Sequence, residues 1–457
     1  MRKHLLLPLG MLIPAVLLIG EYGLVKAQSK PSPKRWSDAA TWPDKKVPGK
    51  DAAVTIAKGM DVVLDVSPAP LRSLTIDGKL SFADNKDLEL TTEWILLHGE
   101  LEIGTEARPH TRNATITLTN NVPGEDIMTM GDRGIMIMGG TLNLHGNRKD
   151  SWTKLTKTAA AGSNTIEVMN VGDWKKGDMI VVASTDFDPH QAERRTIAGI
   201  SGKTITLDQK LEFMHFGQVT FGVDERAEVG MLSRNIHIQA SADAEKSFSG
   251  GHVMAMVGST MKVSGVEFFR MGQHENLARY PIHWHLVGDT QGQYIQNSSI
   301  HDTYSRCVTV HGTNNLRIEN NVAYNTVGHC YFLEDGPEHG NQYLSNLGIL
   351  TKCHPTRPCS STNAIVGTFG GGGQGQAATD QLIPSDNTAS TFWITNPDNT
   401  YRGNVSAGSE ATGFWLAFPE HPGGKFEGTD LAANTWPRRT QIREFSGNVA
   451  HSNIEGL

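Results

Sequence analysis

The sequence lacks several features that would each point to a class of protein. It has no run of basic residues and its formal net charge is −7, which together argue against nucleic acid as a partner. It has no long amphipathic helical period, and its 48 glycines with abundant valine, isoleucine and threonine predict an all-β fold instead. Because the net charge is negative, an anionic ligand would have to be held by local arginine and lysine side chains.

The sequence also lacks an apolar run of the roughly 20 residues that a membrane-spanning helix requires. Its N-terminal apolar run, residues 5–20, follows Arg2-Lys3-His4 and precedes the small-residue site Val25-Lys26-Ala27. This order predicts a signal peptide over residues 1–27, followed by a linker over residues 28–35. We therefore expect a secreted or extracellular protein (periplasmic or cell-surface in a bacterium). An uncleaved signal anchor is the alternative, and otherwise we expect no membrane span in the mature chain.

Cysteine is scarce, with four residues in the chain. Exported proteins form disulfides, and Cys353 and Cys359 flank a short loop that a local disulfide would close. Cys307 and Cys330 are 23 residues apart (330 − 307), and on adjacent coils of a β-structure they would lie about 4.8 Å apart. That spacing is compatible with a second disulfide and equally with two small buried residues in a ladder.

Three regions follow the linker. Short apolar strands separated by turns fill residues 36–150 and predict a β-sandwich or a short β-solenoid. Residues 151–217 have the pattern of a small inserted β module. Residues 218–457 show a period of roughly 23 residues, which predicts a right-handed parallel β-helix whose last coil is incomplete. One slot of this repeat holds a recurring asparagine, which is expected to hydrogen-bond to its neighbours in adjacent coils: Asn321, Asn346, Asn404 and Asn448.

The repeat places metal-binding residue types at matching positions on successive coils. His283 and His285 are two residues apart, so both point to the same side of a strand. His311 and Glu334 are 23 residues apart (334 − 311), so His285, His311 and Glu334 are expected to form a column on an outer surface, flanked by His283. We predict a divalent metal ion (zinc, calcium or another) bound by His283, His285 and His311 with one position open. Hydrogen-bonded surface histidines are the alternative.

Other residues border the column. Glu334, Asp335 and His329 are the candidates for a general acid/base, and Asp335 and His329 are alternatively partners of the metal ligands. Arg279 and Arg306 precede the two histidine-bearing strands, and their guanidinium groups would bind the carboxylates of an acidic sugar. Ordinary surface ion pairing is the alternative for each arginine.

Long motifs carry a resemblance to a known family: Arg279-Tyr-Pro-Ile-His-Trp-His-Leu-Val-Gly288, Ser305-Arg-Cys-Val-Thr-Val-His-Gly-Thr-Asn314 and Gly328-His-Cys-Tyr-Phe-Leu-Glu-Asp-Gly336. They resemble the extracellular hyaluronidases called cell-migration-inducing and hyaluronan-binding protein and transmembrane protein two, and the related fibrocystin-like receptors. Upstream, Trp36-Ser-Asp-Ala-Ala-Thr-Trp42 is similar to the eight-glycine (G-eight) domain of that family. The resemblance implies an eight-glycine β-domain over residues 36–150 that leads into a right-handed β-helix, with hyaluronan binding or depolymerisation outside the cell.

Two functions are therefore expected. The first is cleavage of an acidic polysaccharide such as hyaluronan, by hydrolysis or elimination, at a metal held by the three histidines. The second is non-catalytic glycan binding or adhesion outside the cell, with a structural metal or none.

Overall fold

Each full turn of the chain contributes one short strand to each of three parallel faces of a β-helix. The computed structural model describes residues 32–354 and 389–457. The predicted signal peptide, the first part of the predicted linker and Cys359 lie outside these residues. Within the described ranges, no helix has the length and apolar character that crossing a membrane requires.

Face 1 is an eleven-stranded parallel sheet. Its strands, in order across the sheet, are Lys34–Arg35, Asp61–Leu64, Lys79–Phe82, Glu100–Ile103, Thr141–His145, Thr260–Ser264, Tyr294–Gln296, Arg317–Glu319, Gln342–Leu344, Thr400–Arg402 and Glu444–Ser446.

Faces 2 and 3 are joined because two long strands, Val405–Leu416 and Val449–Glu455, run through both. Face 2 also contains Leu88–Thr92, Ala114–Leu118, Ile236–Ala240, Val266–Phe269, Ser299–Thr303, Val322–Val327 and Leu347–Lys352. Face 3 also contains Ala53–Ile56, Ser73–Ile76, Ile95–Leu97, Gly134–Ile137, His252–Ala255, Ile282–Asp289, Val308–Asn314, Tyr331–Leu333 and Ser390–Ile394.

The three faces continue without a break from the N-terminal region into the C-terminal region. Thr141–His145 pairs in parallel with Thr260–Ser264, and Ala114–Leu118 pairs with Ile236–Ala240. Residues 36–150 are therefore the first coils of the same solenoid rather than a separate sandwich.

The inserted module is a six-stranded antiparallel sheet. Its strands, in order across the sheet, are Trp152–Lys154, Glu228–Met231, Met179–Val182, Glu193–Ser201, Thr204–Leu207 and Thr165–Glu167, and a small hairpin adds Val219–Thr220 and Val223–Asp224. The module thus extends past residue 217, because its second strand returns to pair with the first. It packs on face 2, where Val181 and Ala183 contact a cluster that includes Val322, Leu347 and Ile349.

Helices are few and short in the described residues. The α-helices are Ala244–Ser247 and Asp430–Asn434, and the 3-10 helices are Ala39–Thr41, Ile127–Thr129, Pro189–Gln191, Gly424–Phe426 and Pro437–Arg439.

Strand pairing shows which residues of the central coils face the inside of the solenoid. Ile282 pairs with Val308, and Val308 pairs with Tyr331. All three are buried in the core that runs along the inside of the solenoid. Because side chains alternate along a strand, the neighbouring His283 and Thr309 point to the other side of face 3.

The predicted asparagine ladder is present at the corner between faces 1 and 2. The side-chain oxygen of Asn346 accepts from the backbone N–H of Asn321 (3.2 Å) and from its side-chain amide (2.9 Å). The same two bonds link Asn346 to Asn404 and Asn404 to Asn448, each at 3.0 Å. Three of the four are fully buried, so the ladder replaces water for polar groups that would otherwise be unpaired.

Cys307 and Cys330 form a disulfide between adjacent coils, with 4.5 Å between their Cα atoms. Of the two alternatives that the sequence left open for this pair, the structure therefore adopts the disulfide. Such a bond is typical of proteins that fold in an oxidising compartment.

We predict that Asn346→Ala destabilises the fold by about 2–4 kcal/mol. The change removes the ladder bonds on both sides and leaves the buried carbonyl of Ile318 without its donor. The urea midpoint measured by circular dichroism tests this. Asn434→Ala, at an exposed asparagine outside the ladder, is the control and should change stability by no more than about 0.5 kcal/mol. Equal small effects of both substitutions would show that the ladder does not stabilise the coils.

Candidate metal centre

Two paired strands of face 3, Ile282–Asp289 and Val308–Asn314, carry the three histidines. His285 is paired directly with His311, whereas His283 is paired with Thr309. The register shifts immediately after His285, where Leu286 adopts a left-handed backbone with φ of 55°. Such bulges re-aim the side chains next to them, and here the bulge follows the histidine that is closest to the surface.

The three imidazoles converge on one point. His285 Nδ1 lies 3.4 Å from His283 Nε2 and 3.0 Å from His311 Nδ1. One ligand atom of each histidine lies within 4.8 Å of the other two. Nitrogen ligands at 2.0–2.1 Å from a tetrahedral metal are about 3.3 Å apart, which is close to the two shorter distances.

The outer nitrogens of two of these imidazoles are held by oxygen acceptors. His283 Nδ1 lies 3.2 Å from the carbonyl oxygen of Ala278, and His311 Nε2 lies 2.9 Å from Asp335 Oδ2. Because the proton of a neutral imidazole belongs on the nitrogen that faces an acceptor, neutral His283 and His311 would direct the lone pairs of Nε2 and Nδ1 at the centre. Metal-bound imidazoles are typically oriented in this way.

Glu334 adds a carboxylate oxygen to the same point. Its Oε2 lies 3.9 Å from His283 Nε2 and 3.6 Å from His311 Nδ1, and it is buried without a hydrogen-bond partner. A buried carboxylate oxygen is costly unless a cation or donor compensates it. Three imidazole nitrogens and one carboxylate oxygen suit a divalent transition metal, whereas calcium prefers six to eight oxygens. The residues present therefore fit a transition metal.

The protonation of the histidines follows from burial and neighbouring charge. Burial, with the charges of His285 and His311, holds the pKa of His283 well below its usual value. Burial and His311 lower the pKa of His285 to about 4. Burial also opposes a proton on His311, but the carboxylates of Glu334 and Asp335 outweigh it and raise the pKa of His311 to about 9. At neutral pH, His283 and His285 are thus neutral and able to act as ligands, whereas His311 is protonated and would lose its Nδ1 proton when a metal binds.

The centre is buried, which corrects the expectation of a column on an outer surface. His283 is fully buried and His311 is 4% exposed. The cause is the segment between Leu416 and Glu444, which lies outside the repeat and folds back over the ends of these strands. Its Phe426 ring lies 6.4 Å from the His311 ring, and the Lys425 N–H donates to Asp335 Oδ2 at 3.0 Å.

His285 is the member of the centre that solvent partly reaches. The positive charges of Lys425 and Arg279 both contribute to lowering the pKa of His285, so both cations lie near it. Arg279 also donates to the carbonyl of Thr129 at 3.2 Å. Of these two cations, the sequence identified only Arg279 as a candidate.

The structure buries two of the predicted site residues. Arg306 is 2% exposed, and its guanidinium lies 3.6 Å from Glu334 Oε1 and over the ring of Phe332. It neutralises Glu334 from inside the fold rather than facing solvent. His329 is fully buried, bonds Ser390 Oγ at 2.7 Å and packs against Trp393, so its described contacts do not include the centre.

Glu338 supports the centre and was not identified from the sequence, because no repeat offset singles it out. Its carboxylate accepts from the backbone N–H groups of Gly312, Asp335 and Gly336, at 2.8, 3.2 and 2.7 Å. Burial and the nearby Asp335 raise the pKa of Glu338 to about 7. It fixes the turn that brings Asp335 to His311.

Comparison with known proteins confirms the resemblance carried by the motifs. Residues 248–457 match the CEMIP beta-helix family, and residues 41–156 match the G8 domain family. The chain is a G8-domain protein with a CEMIP β-helix. Fibrocystin-L of Mus musculus is 34% identical over 468 residues, which cover 91% of this chain. Human cell surface hyaluronidase CEMIP2 is 38% identical over 312 residues, which cover 63% of it.

The chain is much shorter than these relatives. It spans 10% of fibrocystin-L, 22% of CEMIP2 and 37% of protein rliB of Dictyostelium discoideum, which is 32% identical over 91% of this chain. Among solved structures, the Gp54 tailspike of Acinetobacter baumannii bacteriophage AP22, in complex with A. baumannii capsular saccharide, matches 75% of this chain and 53% of the tailspike chain. Its identity is 10% and its TM-score 0.17, and a likeness of that degree carries no functional argument.

We predict that Asp335→Asn lowers the pKa of His311 from about 9 toward the ordinary value of 6.5, because it removes a negative charge that favours the imidazolium. The His311 ring signal, followed by NMR titration of chelator-treated protein, measures this pKa. Asp398→Asn, which breaks an exposed ion pair with Arg443, is the control and should leave the pKa of His311 unchanged. No response to Asp335→Asn would contradict the orientation deduced for His311.

Proposed function

We propose that this chain is an extracellular protein that binds and cleaves an acidic polysaccharide such as hyaluronan at the candidate metal centre. The observation that carries the proposal is the convergence of His283 Nε2, His285 Nδ1 and His311 Nδ1 with the unpartnered Glu334 Oε2. The relative named cell surface hyaluronidase CEMIP2 supports the choice of substrate. The Cys307–Cys330 disulfide supports export from the cell.

In this proposal each residue of the centre has a separate task. His283, His285, His311 and Glu334 hold a divalent transition metal, which when bound would polarise a substrate oxygen or activate water. Asp335 holds the proton on His311 Nε2 and so keeps Nδ1 aimed at the centre.

Substrate would approach from the side of His285. Arg279 and Lys425 there pair with a uronate carboxylate and orient the sugar, while Phe426 limits the access of water to His311.

Glu334 could act as a metal ligand or as the general acid/base, and the substitution Glu334→Gln distinguishes the two roles. As a ligand, it is needed for metal binding, so Glu334→Gln loses both the metal and cleavage. As the general acid/base that the sequence suggested, its loss would abolish cleavage and leave the metal in place. The closeness of Glu334 Oε2 to two ligand nitrogens favours the ligand role.

A second function, non-catalytic glycan binding or adhesion with a structural metal, is favoured by the depth of the centre. His283 and His311 are buried and the Glu334 side chain is only 8% exposed, which suits a metal that joins neighbouring coils. This function would be supported if the metal is present and glycan is retained, yet no cleavage is ever detected.

We predict that the purified protein holds about one transition-metal ion per chain and shortens hyaluronan, and that chelation abolishes the shortening. His285→Ala and His311→Ala should each lose the metal and lower cleavage by about 100-fold or more, since each removes a ligand. Elemental analysis and size-exclusion light scattering of hyaluronan measure the two effects. Near-ultraviolet absorbance of the products would mark elimination, and reducing ends without it would mark hydrolysis.

The control for these variants is His98→Ala, which removes an exposed histidine paired with Asp77. It should keep both the metal and the activity. Metal-free protein that still cleaves hyaluronan would contradict the proposal.

A further inference from the structure

A cavity of about 360 Å³ lies where the inserted module meets face 2, apart from the candidate metal centre on face 3. Arg194 of the module forms one wall, and Lys352, the last residue of its strand, forms part of the floor. The volume is at the lower end of the range of about 300–1,000 Å³ that is typical of small-molecule sites.

Two of the three cations around this cavity are already paired. Arg194 Nη2 donates to both carboxylate oxygens of Asp302, each at 2.7 Å. Arg270 Nη1 donates to Glu245 Oε1 at 3.0 Å, and its guanidinium lies over the ring of Phe269. The charge of each of these two arginines is therefore balanced by a neighbouring carboxylate.

Lys352 is the third cation, and its ammonium group makes no hydrogen bond or ion pair with the described residues, although the side chain is partly buried. Burial lowers the pKa of Lys352, although the charges of Asp302 and Glu410 favour its protonated form, so its ammonium group is incompletely solvated. An anion bound in the cavity would neutralise the Lys352 ammonium, which water solvates poorly at this position.

The remaining lining residues are three aromatic side chains together with Thr303, Asn325 and Val327. Phe248, Phe269 and Tyr304 line the cavity together with the charged groups. Apolar walls with a few convergent polar groups are typical of sites for small organic ligands, and a flat ring can pack against the C–H face of a sugar.

We propose that this cavity binds one carboxylated sugar residue of an acidic polysaccharide, with the Lys352 ammonium paired to the carboxylate and Phe248 and Tyr304 packed against the sugar. The choice of a sugar rests on the proposed function. Arg194 of the inserted module holds Asp302 through two hydrogen bonds, which leaves the Lys352 ammonium without a hydrogen-bonded carboxylate among the described residues.

The test measures binding of a hyaluronan tetrasaccharide by titration calorimetry, with the His285→Ala variant as background so that the metal centre is absent. Binding should persist in that background and weaken about tenfold or more on adding Lys352→Met, as expected for loss of a charged pair. Lys352→Arg should retain most of the affinity. Lys176→Met, at an exposed lysine of the inserted module, is the matched control and should have no effect.

A tetrasaccharide with its carboxylates reduced to alcohols separates charge from shape. It should bind weakly, and with the same affinity whether or not the protein carries the Lys352→Met substitution. Equal affinity of the native and reduced sugars for the unsubstituted lysine would overturn the proposal. So would binding of a peptide through its free C-terminal carboxylate in the absence of any uronate binding. If the metal proposal alone fails, the wild-type protein will contain no metal. Lys352→Met will nevertheless weaken sugar binding.

Discussion

The structure depends on the register in which successive coils of the β-helix pair. A slip of one residue would turn every outward side chain of a coil inward, because side chains alternate along a strand. The asparagine ladder fixes that register at the corner between faces 1 and 2, and the Cys307–Cys330 disulfide fixes it at the start of two strands of face 3. The pairing of His285 with His311 is a consequence of this register.

The candidate centre combines repeating and non-repeating parts of the chain. The repeat brings the three imidazoles together, and burial keeps two of them neutral. The loops between strands supply what the repeat cannot: Asp335 orients His311, and the segment around Phe426 covers it. Burial excludes water from the centre and so leaves Glu334 Oε2 without a hydrogen-bond partner. A bound cation would accept the imidazole lone pairs and neutralise this carboxylate.

Much of this could be predicted from the sequence because a solenoid turns a sequence offset into a spatial neighbour. The offset of 23 residues placed Cys307 beside Cys330, and the recurring asparagine placed Asn321 next to Asn346, as the structure confirms. What lies outside the repeat could not be predicted in the same way. Arg306 looked like a surface residue because its position precedes a strand, yet it lies beneath Glu334. Lys425 and Phe426 are more than 110 residues from His311 (425 − 311 = 114), and no periodicity relates them to it.

The central claim is that three imidazoles and one carboxylate share a single cation. The most direct measurement is an anomalous difference map from crystals of the protein, collected at and below the absorption edge of the metal found in it. We expect one peak within bonding distance of His283 Nε2, His285 Nδ1, His311 Nδ1 and Glu334 Oε2. A map without that peak, in which the imidazoles are hydrogen-bonded to one another around a proton, would contradict it.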